Sequence, residues 1–439
     1  MGRVLANSPA DCKASPPLEA FLREELSRTG PVSFARFMEV ALYHPEHGYY
    51  ERSPEVVGRR GDFYTSVSVG RLFGELLAFQ AAEWLDELAA RPPAPGPRQL
   101  VEAGAHDGQL AEDMLNWLRC SRPDLWEHLE YWIIEPSARR RAWQEDRLKV
   151  FAPKVRWFNA WAELPAACVH GIIFTNELLD AFPVHRLAWS QAAQEWREWG
   201  VTSAEAGFRW TFLPKLHPAV AELAEPAAAL GVMDVSERRA AWQAIAPLLP
   251  DGFIIERAPT ALHWWTAAAR SLGRGWLWTL DYGHRSGVAL HPTKPQGTLR
   301  AYRDHQLVED LLAAPGTQDL TAHVDFSAVA RAGEEAGLAT VVLTDQSGFF
   351  SNLARKAMQS PGTFGVDART HPPVSNAHPS GSSRAKFCRV GADSRLVGPP
   401  PNRAHLATTL VPAAGLPTLL QLHAQLPHHE AQLVRRFFN

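Results

Sequence analysis

The sequence predicts an α/β protein built on a mostly parallel, twisted sheet with helices on both faces. Three observations predict it. Short apolar runs recur at 100–101, 131–134, 155–158 and 171–175, with helix-forming segments between them. The first run leads straight into a glycine turn and a helix start, Leu100-Val101-Glu102-Ala103-Gly104-Ala105-His106-Asp107-Gly108-Gln109-Leu110. Polar residues, Glu135 and Asn176 among them, stand just past the ends of the runs, where open α/β sheets bind ligands.

Taken in order, residues 1–17 read as a loose leader. Leu18 to Thr29 reads as an amphipathic helix, with Leu18, Phe21, Leu22 and Leu26 on one face and Gly30-Pro31 as its stop. Val32 to Leu42 reads as a second helix. An aromatic turn follows, Tyr43-His44-Pro45-Glu46-His47-Gly48-Tyr49-Tyr50. Gly61-Asp62-Phe63-Tyr64-Thr65-Ser66 then leads into a helix from about Val69 to Ala89. These segments form an N-terminal helical cap over 18–90. The four prolines of Arg91 to Arg98 link it to the core.

The core spans 98–353. Tyr131 to Ile134 is its second strand, and Ser137 caps a helix to about Leu148. Val155 to Phe158 is the third strand and Gly171 to Thr175 the fourth. Arg186 to Trp189, Glu195 to Val201 and Phe208 to Leu213 alternate with period two, which predicts an antiparallel meander inserted at about 186–213. Val235 to Leu249 and Thr260 to Leu272 read as helices, Gly252 to Ile255 and Trp276 to Leu280 as strands. Arg303 to Ala313 and Phe326 to Gly337 read as helices, and Thr340 to Leu343 as the last strand. Residues 354–439 form an atypical tail. Gln359 to His405 is rich in Pro, Ser, Gly, Arg and His, lacks apolar periodicity and reads as largely disordered. Leu416 to Phe438 has the pattern of a terminal helix.

Composition excludes several classes. The 439 residues, 46% apolar, can bury a sizeable core. A net charge of -3 gives no basis for binding nucleic acid or an anionic membrane. An 18-residue apolar run is missing, so no transmembrane helix is expected. Residues 1–17 hold no apolar signal core and few arginines, a poor match to a targeting peptide. Cys12, Cys120, Cys168 and Cys388 are far apart and lack C-x-x-C pairing. That argues against a zinc site or a disulfide framework and fits a reducing compartment. His423, His428 and His429 lack metal-ligand spacing, and no metal is expected.

The candidate site residues follow from the strand ends. Glu102, Gly104 and Gly108 shape a turn that suits the polar end of a nucleotide-like ligand, or serve an ordinary strand-to-helix turn. Glu135, 27 residues after Gly108, stands where a carboxylate accepts both ribose hydroxyls; the alternative is a solvated strand-end acid. Asn159, Trp157, Phe158 and Trp161 follow the third strand, where a purine would lie, and Trp157 reads equally as core. Asn176, Glu177 and Asp180 face the reacting centre. If the two carboxylates share one face of a helical turn, they clamp a planar guanidinium. Otherwise they are a polar helix start with Asn176 as its cap. Asp62, Thr65 and Ser66 are placed to cover the ligand from the N-terminal side. Asp281, Tyr282 and His284 close another strand at the same edge. Arg300, His323 and Asp325 read as structural ion-pairing groups.

Read together, these motifs resemble the MidA-like family of S-adenosylmethionine-dependent methyltransferases over roughly Leu18 to Leu353. The likeness rests on the aromatic turn from Ala41 to Tyr50 and on Gly61 to Ser66 with Phe73-Gly74-Glu75. It rests further on Val101-Glu102-x-Gly104, Glu135-Pro136-Ser137, Asn176 to Val184, Asp281-Tyr282-Gly283, Thr298-Leu299-Arg300 and Asp319-Leu320-Thr321 with Val324 to Ser327. The sequence departs from the family at Ala105 and His106, where a proline and a glycine are usual, and at Val67-Ser68, where Pro-Glu is usual. The family's final strand is not found in Gln359 to Asn439.

The resemblance implies a class I, Rossmann-like methyltransferase fold and S-adenosylmethionine as methyl donor. It implies Glu102, Gly104, Gly108, Glu135 and Asn159 as donor-binding residues, with Asp62 and Thr65 over them, and Glu177, Asp180 and Asn176 as the catalytic group. It implies protein arginine methylation, in the mitochondrial members for assembly of respiratory complex I. A protein substrate is thus the expected partner, with a homodimer as the possible assembly. The setting is cytoplasmic for a bacterial host and the mitochondrial matrix for a eukaryotic one. Two other functions stay open: an assembly chaperone that has lost donor binding, and a small-molecule methyltransferase.

Overall fold

A computed structural model describes residues 16–53, 70–90, 98–230, 235–284, 294–359 and 405–411. Asp62, Thr65 and Ser66, and the helix expected over Leu416 to Phe438, lie outside the described residues.

The central sheet joins seven strands: β2 (Arg98–Ala103), β3 (Leu129–Ile134), β4 (Val155–Phe158), β5 (Val169–Asn176), β10 (Leu272–His284), β15 (Ala339–Asp345) and β16 (His405–Val411). Their order is β15-β16-β10-β5-β2-β3-β4, and every pairing along it is parallel. Parallel strands are covered on both faces, and these read as apolar runs for that reason. On one face Leu100, Tyr131, Ile133, Phe174 and Trp278 pack under helices α3 (Arg71–Ala89), α4 (Gln109–Ser121) and α10 (Gln346–Gln359). On the other, Val101, Ala103, Trp132, Ile134 and Leu277 pack under α8 (Pro259–Ser271) and α9 (Phe326–Glu335).

A second, antiparallel sheet holds β1 (Val32–Ser33), β6 (His185–Ser190), β7 (Glu195–Ser203), β8 (Phe208–Phe212) and β9 (Ile254–Arg257). The expected meander is therefore only its middle. The run read as a strand at Gly252 to Ile255 joins this sheet as β9, not the parallel one. Its core is Leu187, Trp189, Trp196, Phe253 and Ile255. The N-terminal helices α1 (Pro16–Thr29) and α2 (Phe34–Tyr43) pack beside it through Leu18, Leu22, Phe34, Phe37 and Met38.

Two expectations need correction. Arg303 to Ala313 is not a helix. β11 (Arg300–Arg303) and β12 (Gln306–Val308) form a hairpin whose turn residues, Asp304 and His305, are both left-handed at φ 51 and 61. Two left-handed residues make the turn that a right-twisted hairpin prefers, and Asp and His tolerate that backbone better than most. The second correction concerns the tail. Residues 346–359 are helical, and His405 to Val411 forms a strand between β10 and β15. Among the described residues, no helix is long and apolar enough to cross a membrane.

Candidate active site

The chain runs from β2 outward to β3 and β4, then returns to β5 on the other side of β2. At such a reversal the loops leave the strand ends in opposite directions and open a crevice. A cavity of about 1290 Å³ fills it. Glu102, Gly104, Glu135, Asn159, Asn176, Glu177 and Asp180 all line this one cavity. Gly108 does not line the cavity; it is the left-handed N-cap of α4 at φ 85, packed at the helix start against Gln144.

The end of the cavity beside the Gly104 turn is built around Glu102. Its carboxylate is buried on β2 and accepts the Tyr131 hydroxyl of β3 at 2.6 Å. Burial pushes its pKa up to about 7, against the opposing pull of that hydrogen bond. The turn beyond it is held from above by one face of α6 (Ala138–Leu148). Gln144 Nε2 donates to the His106 carbonyl at 2.9 Å, and Arg147 Nε to the Asp107 carbonyl at 3.0 Å. His106 is left-handed at φ 46, and its ring meets Trp143 of α6 edge-on at 6.2 Å. Gly104 is left-handed at φ 77, and a Cβ there would lie 2.9 Å from Leu178 Cδ1.

Glu135 is already well supplied with donors. Its Oε1 accepts the Ser137 N–H at 2.9 Å and Arg140 Nε and Nη2 at 3.0 Å each; Oε2 accepts Gln144 Nε2 at 3.0 Å. A carboxylate has about four lone-pair sites, so Oε2 keeps room for one more donor. Arg140 also lies 3.7 Å from Glu51, whose Oε2 accepts the Ser137 hydroxyl at 2.7 Å. This end is thereby tied to the N-terminal cap. Asn159 is exposed and bonds Glu163 and Arg141. Trp161 lines the cavity, whereas Trp157 packs against the core and donates to Gln144.

The other end of the cavity begins at Asn176, the last residue of β5. Glu177 follows in the left-handed region at φ 49, and Leu179–Ala181 is a single 3-10 turn. The two carboxylates therefore do not stand on an α-helical turn, and Asn176 is not a helix cap. The reason is Asp281, at the end of β10. It is fully buried and draws the N–H groups of Leu178 and Leu179 to its Oδ2, at 3.1 and 2.7 Å. Those N–H groups are thereby kept for Asp281.

Asp180 is buried and hydrogen-bonded to Asp281. Burial first, then the charges of Asp281, Glu177 and Asp319, hold its carboxyl well above the usual range. Burial pushes Asp281 up to about 7 against its N–H donors. Around them, the Tyr43 hydroxyl donates to the Ala181 carbonyl at 2.9 Å and the Tyr50 hydroxyl to Asp319 at 2.8 Å. Three carboxyl groups, Glu177, Asp180 and Asp319, thus line one end of the cavity, with a fourth, Asp281, bonded to Asp180.

The residues fit a donor with a cationic amino acid end and an aromatic end. Asn176 Oδ1 and Trp161 Nε1 are buried without a hydrogen-bond partner among the described residues, and both belong to cavity-lining side chains. Buried polar atoms are almost always paired, so both atoms suit a bound molecule. Glu102 supplies a carboxyl group that a bound cation would draw into its ionised form, and Gly104 leaves the backbone open to approach.

Sequence reading missed several groups here. Arg140, Gln144 and Arg147 are spaced by four and three residues, one face of α6, and that signal was available. Tyr131 carried no local signal of a role, because strand pairing alone brings it to the site, whereas Asp281 was read at a strand end and Asp319 only as part of a motif, neither with the partner it meets here.

The comparisons agree with this geometry. Residues 76–344 match a family model described as an S-adenosyl-L-methionine-dependent methyltransferase. The mouse protein arginine methyltransferase NDUFAF7, mitochondrial, is 28% identical over 90% of this chain and 84% of its own. The human protein of that name is 29% identical over 74% and 70%. A solved structure from Burkholderia thailandensis bound to S-adenosyl-homocysteine is 32% identical, with a TM-score of 0.61 over 76% of this chain and 80% of that one. With a family match over more than half its length, the chain belongs to this family of S-adenosylmethionine-dependent methyltransferases.

Proposed function

We propose that the acceptor is an arginine side chain of a protein. The observation that carries this reading is the acid cluster at one end of the cavity, where Glu177, Asp180 and Asp319 line the wall and the buried Asp281 bonds Asp180. Gathered carboxyl groups in a buried site suit a cation, and a planar guanidinium can meet two of them at once. Relatives named as protein arginine methyltransferases favour the same acceptor.

S-adenosylmethionine, when bound, supplies an electrophilic methyl group on a sulfonium. Glu102, the Gly104 turn, Glu135 and Asn159 are the residues assigned to hold it, with Asp62 and Thr65 proposed to cover it. Asn176, Glu177 and Asp180 orient the guanidinium and balance its charge. Alignment of two held groups can contribute about 7–11 kcal/mol, so orientation is the main task of these side chains. The setting we propose is the mitochondrial matrix in a eukaryotic host and the cytoplasm in a bacterial one.

The test is incubation of the purified protein with methyl-labelled S-adenosylmethionine and a cell extract, followed by mass spectrometry of labelled bands. Label on arginine in protein is expected. Label confined to small molecules would overturn the protein acceptor, and failure of calorimetry to detect donor binding would favour a chaperone.

A further inference from the structure

A second polar cluster lies in the same cavity, away from the acids. Ser33, Arg36, Glu39 and Tyr43 line the cavity at spacings of three, three and four residues, so one face of α2 forms its wall. Tyr43 marks the acidic end through its bond to Ala181. Ser33 marks the other, pairing with Gly200 on β7, two residues beyond Glu198. At 1.5 Å per residue this wall is about 15 Å long.

Near the Ser33 end, Glu198 is buried on β7 and holds two histidines. Its Oε1 meets His185 Nδ1 at 2.7 Å, and its Oε2 accepts the His217 N–H at 2.5 Å. The two rings lie 4.7 Å apart, tilted by 33°, and both residues line the cavity. The tautomers follow from this network. A carboxylate only accepts, so His185 carries a proton on Nδ1, and the neutral ring keeps Nε2 as an acceptor. The Ala219 N–H donates to His217 Nδ1 at 3.1 Å, so neutral His217 keeps Nε2–H as a donor. An acceptor beside a donor is the complement of an amide. A carboxylate buried in a sheet needs donors for stability alone, but stability does not require both rings to reach the cavity.

We propose that His185 and His217 form a subsite for an extended stretch of the acceptor polypeptide, binding an amide four to five residues from the modified side chain. The subsite rests on the protein-acceptor reading above. The distance follows from the wall, since an extended chain rises about 3.3 Å per residue. The cavity volume fits too: about 1290 Å³ exceeds the roughly 300–1,000 Å³ of small-ligand sites, leaving room for a chain beside the donor.

The test uses arginine-centred peptides with degenerate flanks of one or six residues on each side, the whole protein and S-adenosylmethionine. Products are sequenced by mass spectrometry. Wild type should favour six-residue over one-residue flanks by about three- to tenfold, the worth of one or two hydrogen bonds. It should also enrich Asn or Gln four to five residues from the arginine. His217→Ala and His185→Ala should erase both preferences, and His217→Gln should restore part of them. Each preference is a ratio within one sample, so a partly folded variant still reports it. Variants that keep both preferences, or a wild type without them, overturn the subsite. A wild type that binds donor but methylates no peptide overturns the protein-acceptor reading, and the subsite with it.

Discussion

Asp281, at the tip of β10, hydrogen-bonds the carboxyl group of Asp180, just past the end of the neighbouring strand β5. The pair resists double ionisation, because two buried like charges at contact repel strongly. A cationic acceptor needs the ionised form. The pair binds its proton more tightly than free carboxyls do, so binding competence is absent at low pH and appears as pH rises through about 7. The Michaelis constant for a cationic acceptor should fall over that range. Asp281→Asn removes the repelling charge and should move this limb to lower pH by a unit or more. A pH profile of kcat/KM checks it, and an unmoved limb would refute the pairing.

Asp180→Ala should leave donor affinity nearly intact and lower transfer by about a hundredfold or more, the usual cost of a charge-stabilising group. Calorimetry with S-adenosylmethionine and single-turnover rates separate the two. An equal loss of binding would assign Asp180 to the donor end.

Glu102 titrates at about 7 in the fold against 4.5 when free. The sign is that of a raised acid: its contribution is full below the unfolded value and is lost as pH climbs through about 7. The span of roughly 2.5 units corresponds to about 3 kcal/mol. Glu102→Gln should remove that slope, gaining stability on wild type at pH 8 relative to pH 5. Chemical denaturation at the two pH values measures it.

Arg140→Met should destabilise by about 3–5 kcal/mol, because Glu135 and Glu51 would be left buried with a missing cation. Donor affinity should fall with it. Replacing Glu135 and Glu51 by Gln in the same protein should recover stability without recovering donor affinity, measured by thermal unfolding and calorimetry.

The sheet and its glycine turn were legible because buried parallel strands carry unbroken apolar runs, as Leu100–Val101 and Ile172–Phe174 do. Helices α1 and α2 and the middle strands of the insertion were legible from period and composition, but that α3 packs on the central sheet instead of beside them was not. The hairpin at Arg300–Val308 was not, since Leu307, Val308, Leu311 and Leu312 carry a helical spacing. Only the backbone of Asp304 and His305 reveals the turn. The strand His405–Val411 was lost beside a long polar segment that dominates its surroundings. At the site, the cluster of Glu102, Glu135 and Asn176 could be read, because strand tips converge at a chain reversal. The role of Asp281 could not, because it depends on the register of Leu280 with Asn176, and register is a property of pairing.

The cavity draws its walls from two sheets that the chain joins directly through Pro183 and Val184, between the turn after β5 and β6. On the proposed reading, donor holding and acceptor choice fall to separable pieces of polypeptide, so exchanging hairpins on the antiparallel side would retarget the enzyme while the parallel strands keep a common currency of methyl groups.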